Sequence, residues 1–342
     1  MSKLLLYSNG KLKDLNDNCK IITNIGDEDI VYFSDHCDNE VYSHLREYYG
    51  IPSRMLFDVE CTVEQQEFET IFIPALQMGI LNWIRLFNEQ NIKLSSSVTT
   101  DHCCNFSINR KHYDRHILLK LIDDVFTNVK VKYTWHGMLR DFDLSYLFHE
   151  LKDVTSIEIT DELKSKLLSP IKLPANWINN QKHENKFNGA QMTHGKFTDN
   201  WSVAHKNLCE HSAVCVLTES FSNYQKNYTF TEKTLYGIMG LNFLIWTGNY
   251  GQADMAKSMG IDIFEDIIDH SYQYENTIFE RCYFAIERNI EILTNLEFAQ
   301  NIRQGNLKRL IENRNYMLQG GFRQWVQQEI LRYDLQNLIT VK

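Results

Sequence analysis

Proline is scarce in this chain. Pro52, Pro74, Pro170 and Pro174 serve all 342 positions, which leaves long stretches free to build unbroken helices and strands. No run approaches the ~20 apolar residues that a membrane-spanning helix needs. The opening MSKLLLYSNGKLKD holds an apolar run too short for the core of a secretion signal. The chain is therefore expected to be soluble and cytoplasmic, with no membrane partner. It also lacks paired cysteines: Cys19, Cys37, Cys61, Cys103, Cys104, Cys209, Cys215 and Cys282 form no Cys-x-x-Cys and do not join histidines at zinc spacing. They read as reduced thiols, and no metal site is expected.

Other absences narrow the chemistry. Positive charge is in deficit, with 35 Lys and Arg against 44 Asp and Glu and a net charge of −9. That disfavours a broad non-specific grip on nucleic acid and leaves room for a local basic cleft. There is no G-x-G-x-x-G and no G-x-x-x-x-G-K-[ST], so neither a nicotinamide-dinucleotide fingerprint nor a P-loop is present. Asp141-Phe142-Asp143 has the letters of a metal-binding Asp-x-Asp, but it opens a predicted helix and reads as a cap.

What the sequence does contain is an alternation. KLLLYS, CKIITN, DIVYFSD, RMLFDV and TIFIPAL are strand-like: short, branched or aromatic, and bounded by Asn, Gly and Asp. Between them NEVYSHLREYYG and ALQMGILNWIRLFNEQ have helical spacing, with Ile80, Trp83, Ile84 and Phe87 on one face. A second alternation begins near residue 103. CNFSI and VKVKYTW are predicted strands, and YDRHILLKLIDDVF is a helix that buries Ile117, Leu118, Leu121, Ile122 and Phe126. Residues 170–200 read as a long polar loop. The pattern then resumes with WSVAHKNLCEHSAVCVLTES (helix into strand), TEKTLYGIMG (helix), LNFLIWTG (strand), YGQADMAKSMG (helix) and IDIFED (short strand). A helical end follows, with a stripe of Ile278, Cys282, Ile286 and Ile290.

Strands alternating with helices imply parallel sheets covered by helices. The expected fold is α/β, with two Rossmann-like domains facing a cleft. The expected division is residues 1–100 as a first Rossmann-like domain, 101–300 as a second and 301–342 as a helical tail. The serines Ser95 to Ser97 read as linker.

Ligands in such sheets sit at the carboxyl ends of the strands. In the second half those ends are followed by Asn109 to Arg115, by Glu219 and Ser220, by Thr231-Glu232-Lys233 at a helix start, and by Gly248-Asn249. The set combines two cations, two carboxylates and helix N-terminal amides. It suits a nucleoside diphosphate: amides and helix dipole favour the phosphates, Arg115 binds them bidentately and Lys233 as a point charge, and Glu219 or Glu232 takes the ribose hydroxyls. Glu232 and Lys233 equally fit an ordinary exposed first turn, and Arg115 a pairing with Asp123 or Asp124.

Four separated elements carry a resemblance. Asn109 and Arg115 stand six residues apart, VLTES precedes TEK, LNFLIWTG ends in Gly248 fifteen residues after Lys233, and Gly260-Ile261-Asp262-Ile263-Phe264 precedes Asp269-His270-Ser271-Tyr272. This order resembles the donor domain of α-1,3-fucosyltransferases and, more nearly, bacteriophage-encoded glycosyltransferases, over residues 103–290. The resemblance implies a GT-B glycosyltransferase that takes a nucleotide-diphosphate sugar as co-substrate and no other cofactor. Arg115 and Lys233 match the diphosphate pair, and Glu232 or Glu219 the ribose contact. Ser220 departs from the Asn of the fucosyltransferases, so the donor's base and sugar stay open.

Sugar transfer builds charge on the leaving diphosphate, so fixed cations there assist bond breaking as well as binding. An inverting enzyme also needs a base for the acceptor hydroxyl. Asp35, after DIVYFS, is the best-placed carboxylate; His36, Asp58 and Glu60 are alternatives, and a plain loop carboxylate is the competing reading. The acceptor is open: a glycan, lipid or small molecule, or a hydroxylated or hydroxymethylated base in phage DNA. The last needs a basic groove, for which Arg110, Lys111, His112, Lys182, Lys186 and Lys196 are available. The competing class is a non-catalytic sugar- or nucleotide-binding or structural protein that retains the fold.

Overall fold

The structure is a computed structural model. It describes residues 4–8, 11–14, 20–22, 25, 29–33, 39–49, 54–57, 69–72, 80–89, 93–107, 117–121, 132–134, 151–152, 154, 156–169, 178–179, 206–219 and 230–335. The chain divides into two compact units, one of residues 1–85, 227–231 and 317–342, the other of 86–226 and 232–316.

The first unit holds a mixed sheet in the order β3-β2-β1-β4-β5-β6. Its strands are β1 (Leu4–Ser8), β2 (Lys11–Asp14), β3 (Lys20–Ile22), β4 (Ile30–Phe33), β5 (Arg54–Phe57) and β6 (Glu69–Phe72). β1, β4, β5 and β6 run parallel, whereas β2 and β3 fold back antiparallel from β1. An all-parallel sheet was the expectation here, and this hairpin meander corrects it. Ser8 pairs with Lys11, and the sequence between them reads Asn-Gly, a dipeptide favoured in two-residue hairpin loops. Leu5, Val31, Met55 and Leu56 are fully buried.

Helix α1 (Asn39–Tyr49) buries Tyr42 and Leu45, three residues apart on one face. Helix α2 (Ile80–Glu89) buries Ile84 and Phe87, and the division between the units falls inside it.

The second unit is built on an all-parallel sheet in the order β11-β10-β7-β8-β9. Its strands are β7 (His102–Ser107), β8 (Lys132–Thr134), β9 (Ile178–Asn179), β10 (Ser212–Thr218) and β11 (Phe243–Thr247). β10 lies between two parallel neighbours and all seven of its residues are buried, which is why SAVCVLT lacks the alternation of a half-exposed strand. β9 lies inside the polar run 170–200 that the sequence suggested was loop, and it closes the far edge against β8.

The described helices of this unit include α3 (Asp161–Leu168), α4 (Lys206–Glu210), α5 (Glu232–Met239), α6 (Gln252–Ser258), α7 (Ile278–Glu287), α8 (Ile290–Thr294), α9 (Leu296–Gly305) and α10 (Leu307–Leu318), whose last two residues belong to the first unit. Residues 117–121 are also helical, with Ile117, Leu118 and Leu121 buried. Gly237 lets α5 approach the sheet: a Cβ there would stand 2.4 Å from Leu244 Cδ2 and 3.4 Å from Cys215 Cβ. Thr277 and Glu280 form a reciprocal capping box at the start of α7.

One guanidinium ties the unit together. Arg303 on α9 is fully buried and donates to the carbonyls of Thr99, Cys209, Glu210, Gly240 and Leu241 and to the Thr100 hydroxyl. It thereby satisfies carbonyls at the ends of both α4 and α5 that no helix can satisfy internally.

Further expectations are revised. IDIFED is not a strand. Its backbone groups are taken by side chains: Asp262 Oδ1 accepts the Phe264 N–H at 2.9 Å, and Asn313 bonds both the N–H and the carbonyl of Asp262. Phe264 has φ 55, which a strand cannot hold. The stripe on α7 stops at Ile286, because the helix ends at Glu287 and Ile290 opens α8 exposed. Ser95 is anchored, its carbonyl accepting Arg314 Nη1 at 2.6 Å, so the serine run is docked to the second unit.

The C-terminal helix α11 (Gly321–Arg332) buries Phe322, Val326 and Ile330 and belongs to the first unit, where the Tyr333 carbonyl accepts Arg54 Nη2 at 2.6 Å.

Candidate functional site

Chain order and strand order together define an edge. The chain runs outward from β7 to β8 and β9, then returns to the other side of β7 for β10 and β11. The strand order reverses between β7 and β10, and such a reversal opens a crevice beyond the strand carboxyl ends. Register aligns those ends: Leu217 pairs with Ser107, and Thr218 with Thr247. Glu219 follows β10 directly and Gly248-Asn249 follow β11.

Glu219 is buried and held from two sides. Its Oε1 accepts Thr234 Oγ1 at 2.5 Å, and Thr234 in turn accepts Trp246 Nε1 at 2.9 Å. Its Oε2 faces the ammonium of Lys233 at 3.8 Å, with both side chains about as buried as core residues, at 2% and 3% exposure. A pair this buried stays only where other groups hold it, and the relay from Trp246 through Thr234 does that. The TEKT sequence at the start of α5 thus contributes Lys233 and Thr234 together. Glu232 opens the same helix, partly exposed; Thr231, also partly exposed, precedes it in the chain and belongs to the first unit. Sequence reasoning missed Thr234 and Trp246; a second threonine in the helix's first turn was the available signal.

The end of β11 is equally ordered. Gly248 has φ 120, a conformation suited to glycine, and its carbonyl accepts Arg281 Nε at 2.5 Å. Arg281 also donates to the carbonyls of Glu275 and Asn276, tying the strand end to the entrance of α7. Asn249 is 2% exposed; its Nδ2 donates to Gln252 Oε1 at 2.7 Å, while its Oδ1 has no partner among the described residues. Gln273 Oε1 accepts the N–H groups of Ala253 and Asp254 in the first turn of α6.

Beside this loop lies a depression of about 450 Å³, whose lining includes Asp254, Asp269, His270, Ser271, Gln273 and Tyr274. Its described lining carries four carboxylates, of which Glu265 pairs with Lys257 and Asp266 with Arg309. Burial pushes the His270 imidazole below its ordinary pKa, and His270 Nε2 is engaged with the Ile263 carbonyl at 2.8 Å. Tyr274 is pushed up to about 12, first by donating its hydroxyl to Asp254. Asp269 and Ser271, singled out in the sequence, bond each other and shape the turn at residues 271–274.

Among the sequence-expected site residues, the structure brings Glu219, Lys233, Gly248 and Asn249 to one sheet edge, with Glu232 at the helix start and Thr231 preceding it in the chain. Asp35, Asn109, Arg115 and Ser220 lie outside the described residues, as do His36, Asp58, Glu60, Arg110, Lys111, His112, Lys182, Lys186 and Lys196. Cys103, Cys104, Cys209, Cys215 and Cys282 are free thiols buried in the second unit. Among the described residues no cluster of His, Cys, Asp and Glu is placed to hold a metal ion, and no helix is long and apolar enough to cross a membrane.

The class that fold and edge define is an α/β protein of two sheet-based units, the second a parallel sheet with a polar, partly ionic site where its strand order reverses. No family model matches the chain, and no curated protein matches it. Two solved structures share a distant likeness. One is of the DNA-modifying enzyme β-glucosyltransferase in the presence and absence of uridine diphosphoglucose, at TM-score 0.40 and 9% identity, covering 91% of this chain and 82% of that one. The other is OtsA in its apo form, at TM-score 0.39 and 10% identity, covering 92% of this chain and 74% of that one.

Proposed function

We propose that this chain is a glycosyltransferase that takes a nucleotide-diphosphate sugar as donor. The observation that carries the reading is the Lys233–Glu219 pair, 3.8 Å apart, at the carboxyl edge where the parallel sheet reverses its order. A cation and a carboxylate at that edge match the two polar ends of a ribose diphosphate: phosphate oxygens for the ammonium, hydroxyls for the carboxylate. Lys233 is fixed before the ligand arrives, so its charge costs little reorganisation when the leaving diphosphate becomes more negative.

In this reading Arg115, which follows β7 in the chain, adds the second cation. The two cations stabilise the leaving group without a metal. Glu219, rather than the more exposed Glu232, is the ribose contact, because the Thr234 bond fixes its orientation. Asp35, two residues after β4 in the chain, is the base assigned to the acceptor hydroxyl, and the transfer inverts the sugar's anomeric configuration. The acceptor proposed for first trial is a hydroxymethylated base in DNA, in line with the resemblance to phage-encoded glycosyltransferases.

The test is a transfer assay with radiolabelled UDP-glucose, GDP-fucose and further nucleotide sugars. DNA containing 5-hydroxymethylcytosine, unmodified DNA and simple glycosides are offered as acceptors. Label moving to the hydroxymethylated DNA alone supports the full proposal. Label moving only to a glycoside removes the DNA acceptor. Release of free nucleoside diphosphate at the same rate in wild type and Lys233→Ala, with no transfer to any acceptor, contradicts the glycosyltransferase reading.

A further inference from the structure

We propose that Asn249, Tyr250 and Tyr274 form a nucleobase subsite at the end of β11. The proposal rests on the donor-site reading above and assigns the part of the ligand that reading leaves open.

Three observations converge on it. The first is an unpaired acceptor. Asn249 is 2% exposed, and its Oδ1 has no hydrogen-bond partner among the described residues, although its Nδ2 is fixed on Gln252. A buried acceptor left unsatisfied is costly and marks a place where a partner is supplied from outside.

The second is a pair of exposed rings. Tyr250 and Tyr274 meet edge to face, with centroids 5.8 Å apart at 68°, and they are 39% and 49% exposed. Exposed tyrosines ordinarily turn freely, but Tyr274 is locked. Its hydroxyl donates to Asp254 Oδ2 at 2.5 Å, and Asp254 Oδ1 is held by Gln273 Nε2 at 3.1 Å. Gln273 is itself 2% exposed and also caps α6. A ring held still with its face in solvent is a stacking surface already paid for in entropy.

The third is position. β11 neighbours β10, with Thr247 opposite Thr218, so the ends of the two strands are about 4.8 Å apart. Glu219 and Lys233 mark the β10 end, where a ribose and its diphosphate fit. The base then falls one strand further out, over Asn249 and the two tyrosines. Beyond β11 the carboxylates of Asp254 and Asp269 are engaged, Asp254 by Tyr274 and Gln273 and Asp269 by Ser271, so they hold the surface in place. The tyrosine faces stack on the base, and Asn249 Oδ1 accepts one of its ring or exocyclic N–H groups.

The experiment is calorimetric titration of UDP, GDP, CDP and ADP, together with ribose 5-phosphate, inorganic pyrophosphate and free glucose. The proteins are wild type, Tyr274→Ala, Tyr274→Phe, Tyr250→Leu, Asn249→Ala and Lys233→Ala. Both tyrosines are exposed, so their variants keep the fold, and circular dichroism confirms it for Asn249→Ala. The expected result is that one nucleoside diphosphate binds wild type best and loses about ten-fold or more in affinity in Tyr274→Ala and Asn249→Ala. Pyrophosphate is unchanged in those variants, and Tyr274→Phe, which keeps the ring but loses its bond to Asp254, falls between wild type and Tyr274→Ala. If nucleotides bind all the tyrosine and asparagine variants as they bind wild type, yet fail on Lys233→Ala, the subsite is overturned and the donor site stands. If glucose alone loses affinity in Tyr274→Ala, the rings are a sugar surface and the subsite is overturned. If no nucleoside diphosphate binds wild type, both fall.

Discussion

Lys233 Nζ stands 3.8 Å from Glu219 Oε2, with both side chains buried at the carboxyl edge of a parallel sheet. The lysine comes from the first turn of α5 and the glutamate from the residue after β10. Two charges removed from water and set at that distance are costly to place and costly to separate. Their position, rather than their contribution to stability, is what makes them functional residues in this reading.

Separating the pair is the first test. Lys233→Ala removes the ammonium that faces the buried Glu219 carboxylate, and we expect a loss of about 2–4 kcal/mol in unfolding free energy. Replacing both partners, as Lys233→Met with Glu219→Gln, removes the uncompensated charge. Urea midpoints should then show the double variant more stable than the two single losses sum to, by about 1 kcal/mol or more. Strict additivity would mean that the two groups do not interact.

His270 gives a pH dependence. Burial holds its folded pKa below the ordinary 6.5, and the hydrogen bond to the Ile263 carbonyl and the neighbouring Asp269, Asp254 and Glu265 offset this only in part. As pH falls below 6.5 the unfolded chain takes up the proton before the folded one does, so stability is lost through that window and regained as pH rises. His270→Gln removes this one contribution. Urea midpoints at pH 7.5 and 5.5 should differ less in the variant than in wild type, and an equal difference would count against the assignment.

Gly237 sets how closely α5 approaches the sheet, because a Cβ there meets Leu244 at 2.4 Å. Gly237→Val is expected to cost about 1–3 kcal/mol and to push the helix carrying Lys233 outward. Nucleotide affinity should fall along with the melting temperature. Adding Leu244→Ala, which makes room, should recover part of both, and recovery of neither would place the clash elsewhere.

Arg303 is a stability residue and not a site residue. It satisfies carbonyls from the ends of α4 and α5 with one planar fork. A lysine's single ammonium cannot span them. We expect Arg303→Lys to cost about 3 kcal/mol or more, read as a drop in urea midpoint, with nucleotide affinity of the folded fraction preserved.

The legible parts of this fold were those whose local and tertiary requirements agree. SAVCVLT and LNFLIWTG are apolar because both faces of their strands are covered, and both became β10 and β11. The edge positions of Glu219, Lys233, Gly248 and Asn249 followed from placing polar residues after those strands. IDIFED misled because its apolar residues are buried by turns that side chains stabilise: Asp262 and Asn313 supply what a strand partner would. β9 was hidden because two residues paired to one neighbour need no apolar run. The relay from Trp246 through Thr234 to Glu219 joins residues from a strand, a helix and a loop, and only the packed sheet brings them together. The Asn9-Gly10 pair, by contrast, was a readable hairpin signal that the parallel expectation passed over.

The measurement that bears most directly on the donor site is a thermal-shift comparison of wild type and Lys233→Ala. It uses UDP, GDP, CDP and ADP, each with and without Mn²⁺. A ligand at about 100 times its dissociation constant adds about 2.7 kcal/mol of stability, which raises the melting temperature by a few degrees. The expected result is that one nucleoside diphosphate stabilises wild type, independently of Mn²⁺, and leaves Lys233→Ala unmoved. Wild type unmoved by all four, or the variant stabilised as much as wild type, would contradict a diphosphate site at Lys233.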